Sequence, residues 1–462
     1  MRKVVLIFNI FVLMTSCSLE SWAQDPRPQL TLSPDDRILV IAPHPDDEVI
    51  GAGGVIQEAL RLNIPVRVMY LTNGDSNALA GLYYKKHPVF GRKQALEMGK
   101  LRQQEAVEAM KYLGLDAKQL IFLGYPDYGT LRIFKRYWKS NETYRSVLTR
   151  VSHVPYSTAL TPEADYNAPS ILADFKKVIL DFKPTKVFVN HPSDSNDDHQ
   201  AAYLFLKIAL WDLRGQIDNI SVYTYLVHAT NWPRPLGLFP QLRLEPQKYL
   251  QAQGNQWFDF ELSPDQLRRK EEAIHYYRTQ IPYKPKYLFT FVRANELFSS
   301  MSAVELSSQV LNADVWEKEE KKQYACSYGQ CGKGQRNLFL KSVVYALGPE
   351  QLSVRIRLKQ WDRRDLNIDL YLFGYAKNVA FAQMPKVRLR INRDLNVLIF
   401  DGKKYMRSKG VQVSKIGNDI FVSVPLSFLG HPQELIGSVA LQIQNLPLEA
   451  STWTVMGINH GS

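Results

Sequence analysis

Arg37-Ile38-Leu39-Val40-Ile41-Ala42-Pro43-His44-Pro45-Asp46-Asp47-Glu48 is an apolar run that ends abruptly in histidine and acid. Unbroken apolar character without alternation fits a strand buried on both faces, as in a parallel sheet. The pattern continues outward from it. A helix is expected from about Val49 to Leu62, a strand over Pro65 to Leu71, and a long helix over Gln94 to Leu113 with Ala95, Met98, Leu101, Ala106 and Met110 on one side. Leu120 to Leu123 reads as a strand, Ser170 to Phe182 as a helix and Thr185 to Asn190 as a strand. Another helix begins near Asp197, and Ile220 to Val227 is a further strand. This alternation predicts an α/β fold, a three-layer, Rossmann-like and mostly parallel sheet.

Two stretches, Asp75 to Gln94 and Pro126 to Ala168, carry no regular pattern and read as long functional loops. The second contains Tyr128, Tyr137, Trp138, Tyr144, Tyr156 and Tyr166, which either stack on sugar rings or anchor the loop. After about Leu311 the character changes. A charged helical link over Val315 to Tyr324 leads into short alternating strands separated by turns such as Leu347-Gly348-Pro349 and Asp401-Gly402. That is the signature of a C-terminal antiparallel β-sandwich. The expected units are therefore 1–23 as a signal peptide, 24–311 as the α/β domain, 312–324 as a linker and 325–462 as a β-sandwich accessory domain.

The chain of 462 residues is long enough for at least two cores, with ordinary apolar (45%) and charged (22%) shares. Arg2 and Lys3 followed by apolar Val4 to Met14 resemble an export signal, which implies a periplasmic or secreted protein. Two endings compete: cleavage after Ser21-Trp22-Ala23, or a lipoprotein box ending at Cys17 with a lipid anchor. No transmembrane span is expected elsewhere. Cys326 and Cys331, close together in a polar stretch, are expected to pair in an exported protein. The net charge of +12 is scattered, with no basic helix or tail. It therefore points away from nucleic acid and at most toward an anionic surface or glycan.

The cluster His44 to Glu48 begins where the first strand ends. A second cluster, Asn190-His191-Pro192-Ser193-Asp194-Ser195-Asn196-Asp197-Asp198-His199, begins where a later parallel strand ends. Catalytic groups in open α/β sheets gather at that edge. Hydrolysis of an amide needs a polarised carbonyl, an activated water and an acid for the leaving amine. A zinc-type ion held by two histidines and an aspartate meets the first need, and an adjacent carboxylate can take the water's proton. Asp46 and Asp47 on an extended segment point opposite ways, so one can bind metal while the other faces the water. Helix capping explains Glu48, and competes as an account of Asp197, but explains neither His44 nor the second cluster.

Pro43-His44-Pro45-Asp46-Asp47-Glu48, Leu71-Thr72-Asn73-Gly74-Asp75, Leu101 to Ala106 with Leu113-Gly114, Leu123-Gly124-Tyr125-Pro126-Asp127 and Asp198-His199 together resemble the PIG-L / LmbE-like deacetylases. Tyr225 to His228 and Phe291 to Phe298 resemble a larger, exported bacterial subgroup. The resemblance implies a metal-dependent N-acetylglucosaminyl deacetylase acting on an N-acetylated amino sugar or glycan. Its zinc ligands would be His44, Asp47 and His199, and Asp46 its general base. Arg102 would contact substrate, with Asp127 and His228 as further substrate-binding candidates. A His-Asp-His site also accepts Fe2+. Where many family members carry a histidine, this chain has Asn196, which can donate to an oxyanion but cannot deliver a proton. His191 and His228 are the candidates for the missing acid, or Asp46 carries the proton from water to amine by itself.

Gly51-Ala52-Gly53-Gly54 does not have the G-x-G-x-x-G spacing of a nucleotide site, and no G-x-S-x-G elbow of a serine hydrolase occurs. The remaining alternative is a non-catalytic metal- and glycan-binding envelope protein, with Trp361, Tyr371, Tyr375 and Tyr405 of the sandwich as a sugar platform or as core residues.

Overall fold

The structure is a computed structural model that describes residues 27–77, 91–247, 250, 255–323, 327–329, 339–359, 366–407, 410–444 and 446–459. The expected signal segment, the Cys326 and Cys331 pair and Trp361 lie outside the described residues. No helix among the described residues is long and apolar enough to cross a membrane.

A seven-stranded sheet forms the first layer system. Its parallel strands are β1 (Ile38–Ala42), β2 (Val66–Thr72), β3 (Leu120–Tyr125), β4 (Lys186–Asn190) and β5 (Ser221–Tyr225). Two strands not foreseen from the sequence, β6 (Gln256–Glu261) and β7 (Asn295–Ser300), extend the β5 edge antiparallel. The spatial order is β3-β2-β1-β4-β5-β7-β6. The chain steps one way from β1 to β3 and then returns across β1 to β4. The crevice outside the carboxyl ends of β1 and β4 is therefore the topological switch point, where open α/β sheets bind ligands.

One face of the sheet packs on α1 (Asp47–Arg61), α2 (Arg92–Leu113) and the later α6 (Pro264–Ile274). The other packs on α3 (Thr130–Arg136), α4 (Ala168–Phe182) and α5 (Asp197–Asp212). Helix α3 lies inside the stretch read as patternless. Seven residues are too few for a helical period to show, and the helix is held by buried Leu131, Ile133 and Phe134. Trp138, Tyr144, Tyr156 and Tyr166 of the same stretch are buried core residues, so anchoring rather than sugar stacking is their role.

Helix α1 is broken at Ala52 (φ −143°, ψ 20°). The break frees backbone groups that a buried ion pair then satisfies. Gly54 and Val55 donate their N–H groups to the Glu296 carboxylate at 2.7 and 3.1 Å. Lys270 Nζ donates to Ile50 O at 3.0 Å and to Glu296 at 2.6 Å. The glycines of α1 serve packing, as expected: a Cβ at Gly51 would lie 2.4 Å from the Tyr225 ring of β5.

A linking helix, α7 (Ala313–Lys322), leads to the sandwich, whose two antiparallel sheets enclose their own apolar core. Of these strands, Leu366–Tyr375, Glu434–Ile443 and Thr454–Asn459 supply Tyr371, Phe373, Tyr375, Ile436 and Val455 to an apolar cluster shared with the α/β domain. Val304–Ser307, ahead of the expected boundary, pairs parallel with the strand Thr454–Asn459. Trp453, in the turn between Leu446–Ser451 and Thr454–Asn459, is buried against Phe134 at 5.9 Å and donates Nε1–H to Gln200 Oε1 at 3.0 Å. Ser193 and Thr452 hydroxyls pair at 2.7 Å. Tyr371 and Tyr375 are buried in the same shared cluster, and Tyr405 alone of the described platform candidates is exposed.

Replacing Lys270 by Met leaves Glu296 buried without its counter-charge. Loss of one partner of a buried pair costs about 3–5 kcal/mol. Denaturant titration of the K270M protein should show that loss, and an unchanged midpoint would contradict the role assigned to the pair.

Candidate metal and catalytic site

His44 sits between Pro43 and Pro45, which restrict the backbone to an extended path off the end of β1. Pro43 O accepts the backbone N–H of Thr72 at 2.9 Å and its hydroxyl at 3.0 Å, tying the turn to β2. Asp46 then adopts φ 127°, a region L-residues rarely occupy and that costs on the order of 1–3 kcal/mol. Neighbours hold it there. Asp46 N–H donates to Glu48 Oε2 at 3.0 Å, and Glu48 in turn accepts the Tyr277 hydroxyl. Arg102 donates to Pro45 O at 2.7 Å, to Gly74 O at 3.1 Å and to the Asp46 carboxylate at 3.3 Å. Gly74 has φ +62°, and a Cβ there would lie 1.9 Å from Arg102 Nη1. Arg102 is thus buried against the turn and is no solvated helix-face residue.

His44 Nδ1 lies 3.2 Å from Asp47 Oδ2 and 3.2 Å from His199 Nε2, and His199 Nε2 lies 3.1 Å from Asp47 Oδ2. Three buried donors form a nearly equilateral triangle. Its sides match the edge, roughly 3.3 Å, of a tetrahedron whose centre is about 2.0 Å from each nitrogen or oxygen, as around zinc. Three protein ligands leave a fourth direction open, the arrangement of a catalytic site.

The outer nitrogens are also spoken for. His44 Nε2 faces Asp127 Oδ1 at 3.2 Å and Asp198 Oδ2 at 3.3 Å. His199 Nδ1 faces Asp194 Oδ2 at 3.1 Å, with the Asn190 carboxamide 2.8 Å away. Such outer partners fix the ring and its tautomer for ligation. Asp198 is itself held by Tyr128 N–H at 2.6 Å and by Thr130 N–H at 3.1 Å, and Asp194 accepts the N–H groups of Val227 and His228 at 3.0 and 2.8 Å. A second close group, His44 with Asp127 and Asp198, therefore has its carboxylates committed to other donors.

Electrostatics follow from this crowding of acids around two imidazoles. Burial opposes protonation of His44, but hydrogen bonds to Asp127, Asp198 and Asp47 outweigh it and raise the pKa well above the usual imidazole range. Burial likewise opposes charge on His199, which Asp194 and Asp47 nevertheless raise to about 9. Burial would raise Asp47, yet the charges of His199 and His44 hold it well below the carboxylate range. A cation at the triangle answers the same field. Burial lifts Asp46 to about 7 against the pull of Arg102.

Asp46, His44, Asp47, Arg102, Asp127, Asn196 and His228 all line one cavity of about 290 Å³. Asp127 reaches it mainly as the orienting partner of His44, with Oδ2 taken by Ser76 N–H at 2.8 Å. Asn196 caps α5, its Oδ1 accepting Asp198 N–H at 2.8 Å, so its NH2 end is the part left for a ligand. His228 stacks on Tyr287 (5.5 Å, 3°) and packs 4.9 Å from His199. His191 is not at the cavity. Its ring stacks on Trp257 at 5.8 Å, its Nδ1 accepts Ser193 N–H at 3.0 Å, and burial lowers its pKa to about 4. The chain turns directly after it, Asp194 N–H donating to His191 O at 2.8 Å. The far wall, Gln280, Tyr283, Lys284 and Tyr287, comes from a segment that no motif marked.

Residues 39–210 match the family model described as PIG-L: GlcNAc-PI de-N-acetylase. The 1D-myo-inositol 2-acetamido-2-deoxy-alpha-D-glucopyranoside deacetylase of Mycobacterium sp. (strain KMS) is 28% identical over 179 residues, 38% of this chain and 52% of that protein. The protein named Probable N-acetyl-alpha-D-glucosaminyl L-malate deacetylase 2 of Bacillus subtilis (strain 168) is 35% identical over 92 residues, 20% of this chain and 38% of its own. The chain spans about half the length, or less, of these curated relatives. Among solved structures, N,N'-diacetylchitobiose deacetylase from Pyrococcus horikoshii is 18% identical, with 53% of this chain and 70% of that chain covered at a TM-score of 0.32.

Changing Asp194 to Asn should weaken divalent-metal affinity about 10-fold to 100-fold, the usual effect of losing an orienting partner. Competition against a chelating dye measures it, and an unchanged affinity would detach Asp194 from the site.

Proposed function

We propose that the protein, whose residues 39–210 match the PIG-L family model, is a metal-dependent amidohydrolase that removes the acetyl group from an N-acetylated amino sugar or glycoconjugate. The observation that carries this reading is the triangle of His44 Nδ1, Asp47 Oδ2 and His199 Nε2, of which His44 and Asp47 line the same cavity as the Asp46 carboxylate and His199 lies buried behind them. Zinc is the metal that best suits two imidazoles and a carboxylate, with Fe2+ as the alternative. When bound, such an ion supplies a Lewis acid for the amide carbonyl and acidifies a water.

The chain's own residues do the rest. Asp46 takes the proton of the attacking water on its carboxylate, whose orientation Arg102 fixes at 3.3 Å. Asn196 offers its NH2 to the oxyanion that forms on the acetyl oxygen. The C–N bond then breaks, and the amine leaves with a proton. Asn196 cannot give one. Asp46, the cavity carboxyl that has just received a proton, returns it to the nitrogen. The products are acetate and a free amino sugar. Export to the periplasm or the medium, with a lipid anchor at Cys17 as the alternative, is expected from the N-terminal residues, belongs to the same reading and is checked by cell fractionation.

Replacing Asp46 by Asn should cut acetate release from an N-acetylated sugar by roughly a hundredfold or more, the scale of a lost general base, while metal content stays at the wild-type level. Equal turnover in D46N would remove Asp46 from its role, and loss of metal along with turnover would make it a ligand instead.

A further inference from the structure

Charges in the cavity pair off, with one exception. Arg102 serves Asp46, and His44 lies between Asp47 on one side and Asp127 on the other. Lys284 lines the same cavity, yet among the described residues no carboxylate lies within 4.0 Å of its ammonium. Residues 78–90, which follow the cavity residue Asn77, contain Lys85 and Lys86 and no acid. The ammonium is nevertheless placed. It sits 5.2 Å from the ring centroids of both Tyr283 and Tyr287. Tyr287 is itself fixed, its hydroxyl donating to Val227 O at 2.9 Å and meeting His228 Nδ1 at 2.8 Å. Burial costs the ammonium hydration and lowers its pKa, a cost the field of Asp46 offsets in part. Lys284 as a residue is exposed at the cavity wall, and its ammonium, held over two rings with no carboxylate beside it among the described residues, is placed to take an anion from the ligand.

We propose that Lys284 is a specificity-determining residue and that the substrate is an N-acyl amino sugar bearing an anionic group, a carboxylate or a phosphate. This rests on the deacetylase reading and narrows it to a substrate class. A charge-assisted hydrogen bond in such a site contributes about 10-fold to 100-fold in binding.

The test compares kcat/KM for N-acetylglucosamine, N-acetylglucosamine 6-phosphate and N-acetylmuramic acid on the metal-loaded full-length protein, K284Q and K284R. Wild type should favour one anionic sugar over the neutral one by at least about 10-fold. That ratio should collapse toward one in K284Q and be partly kept in K284R. Which anionic sugar is favoured separates phosphate from carboxylate. A ratio near one in wild type, or a preference that survives K284Q, overturns the assignment. An equal loss on all three sugars in K284Q also overturns it and moves Lys284 into the chemistry. If wild type releases acetate from none of them, the deacetylase reading fails, and calorimetric binding of the same sugars decides the Lys284 assignment by itself. Tighter anionic binding that is lost in K284Q supports it, and equal or absent binding overturns it.

Discussion

His44 and His199 lie 155 positions apart in the chain, and their ring nitrogens are held 3.2 Å from one another with the Asp47 carboxylate at the same distance. Two imidazole nitrogens facing each other so closely are unfavourable unless a proton or a cation lies between them. The structure supports that contact from every side. The proline-bracketed turn fixes His44, the strained Asp46 linkage aims its neighbours, and the acids behind each ring prevent rotation. Much of the fold exists to hold this arrangement. The broken helix α1 starts at Asp47, and its break is stitched by the buried Lys270 and Glu296 pair.

The sandwich takes part in the same support. Trp453 donates to Gln200, Gln200 Nε2 donates to Asp194 O at 2.8 Å, and Asp194 faces the outer nitrogen of His199. With Trp453, Tyr371 and Phe373 in one apolar cluster with the helices of the α/β domain, the two units are packed as one body around the second motif. Of the aromatic residues that could have formed a sugar platform, Tyr371 and Tyr375 are spent on that packing.

The parallel strands and the helices between them were legible because a strand buried on both faces leaves an unbroken apolar run, as at Ile38–Ala42, and a long helix leaves apolar residues at helical spacing, as at Arg92–Leu113. His44, Asp47 and His199 were legible because they sit in dense acid-and-histidine runs at strand ends and match a family pattern. What could not be read was partnership across the chain. Arg102 was marked only by the family resemblance, as a substrate contact, since nothing local reveals that it reaches Pro45 and Gly74. Asp194 lay inside the quoted cluster, but its role depends on the fold bringing His199 and His228 to it. His191 belonged to the same run and faces Trp257 instead. The wall from Gln280 to Tyr287 has ordinary composition, and only the return of the chain past the sheet edge makes it part of the cavity.

Anomalous diffraction at the zinc edge, from crystals of the protein grown with zinc, tests the central claim most directly. The account predicts a single strong peak bonded to His44 Nδ1, Asp47 Oδ2 and His199 Nε2. A peak between His44 Nε2, Asp127 and Asp198, or no peak at either place, would contradict it.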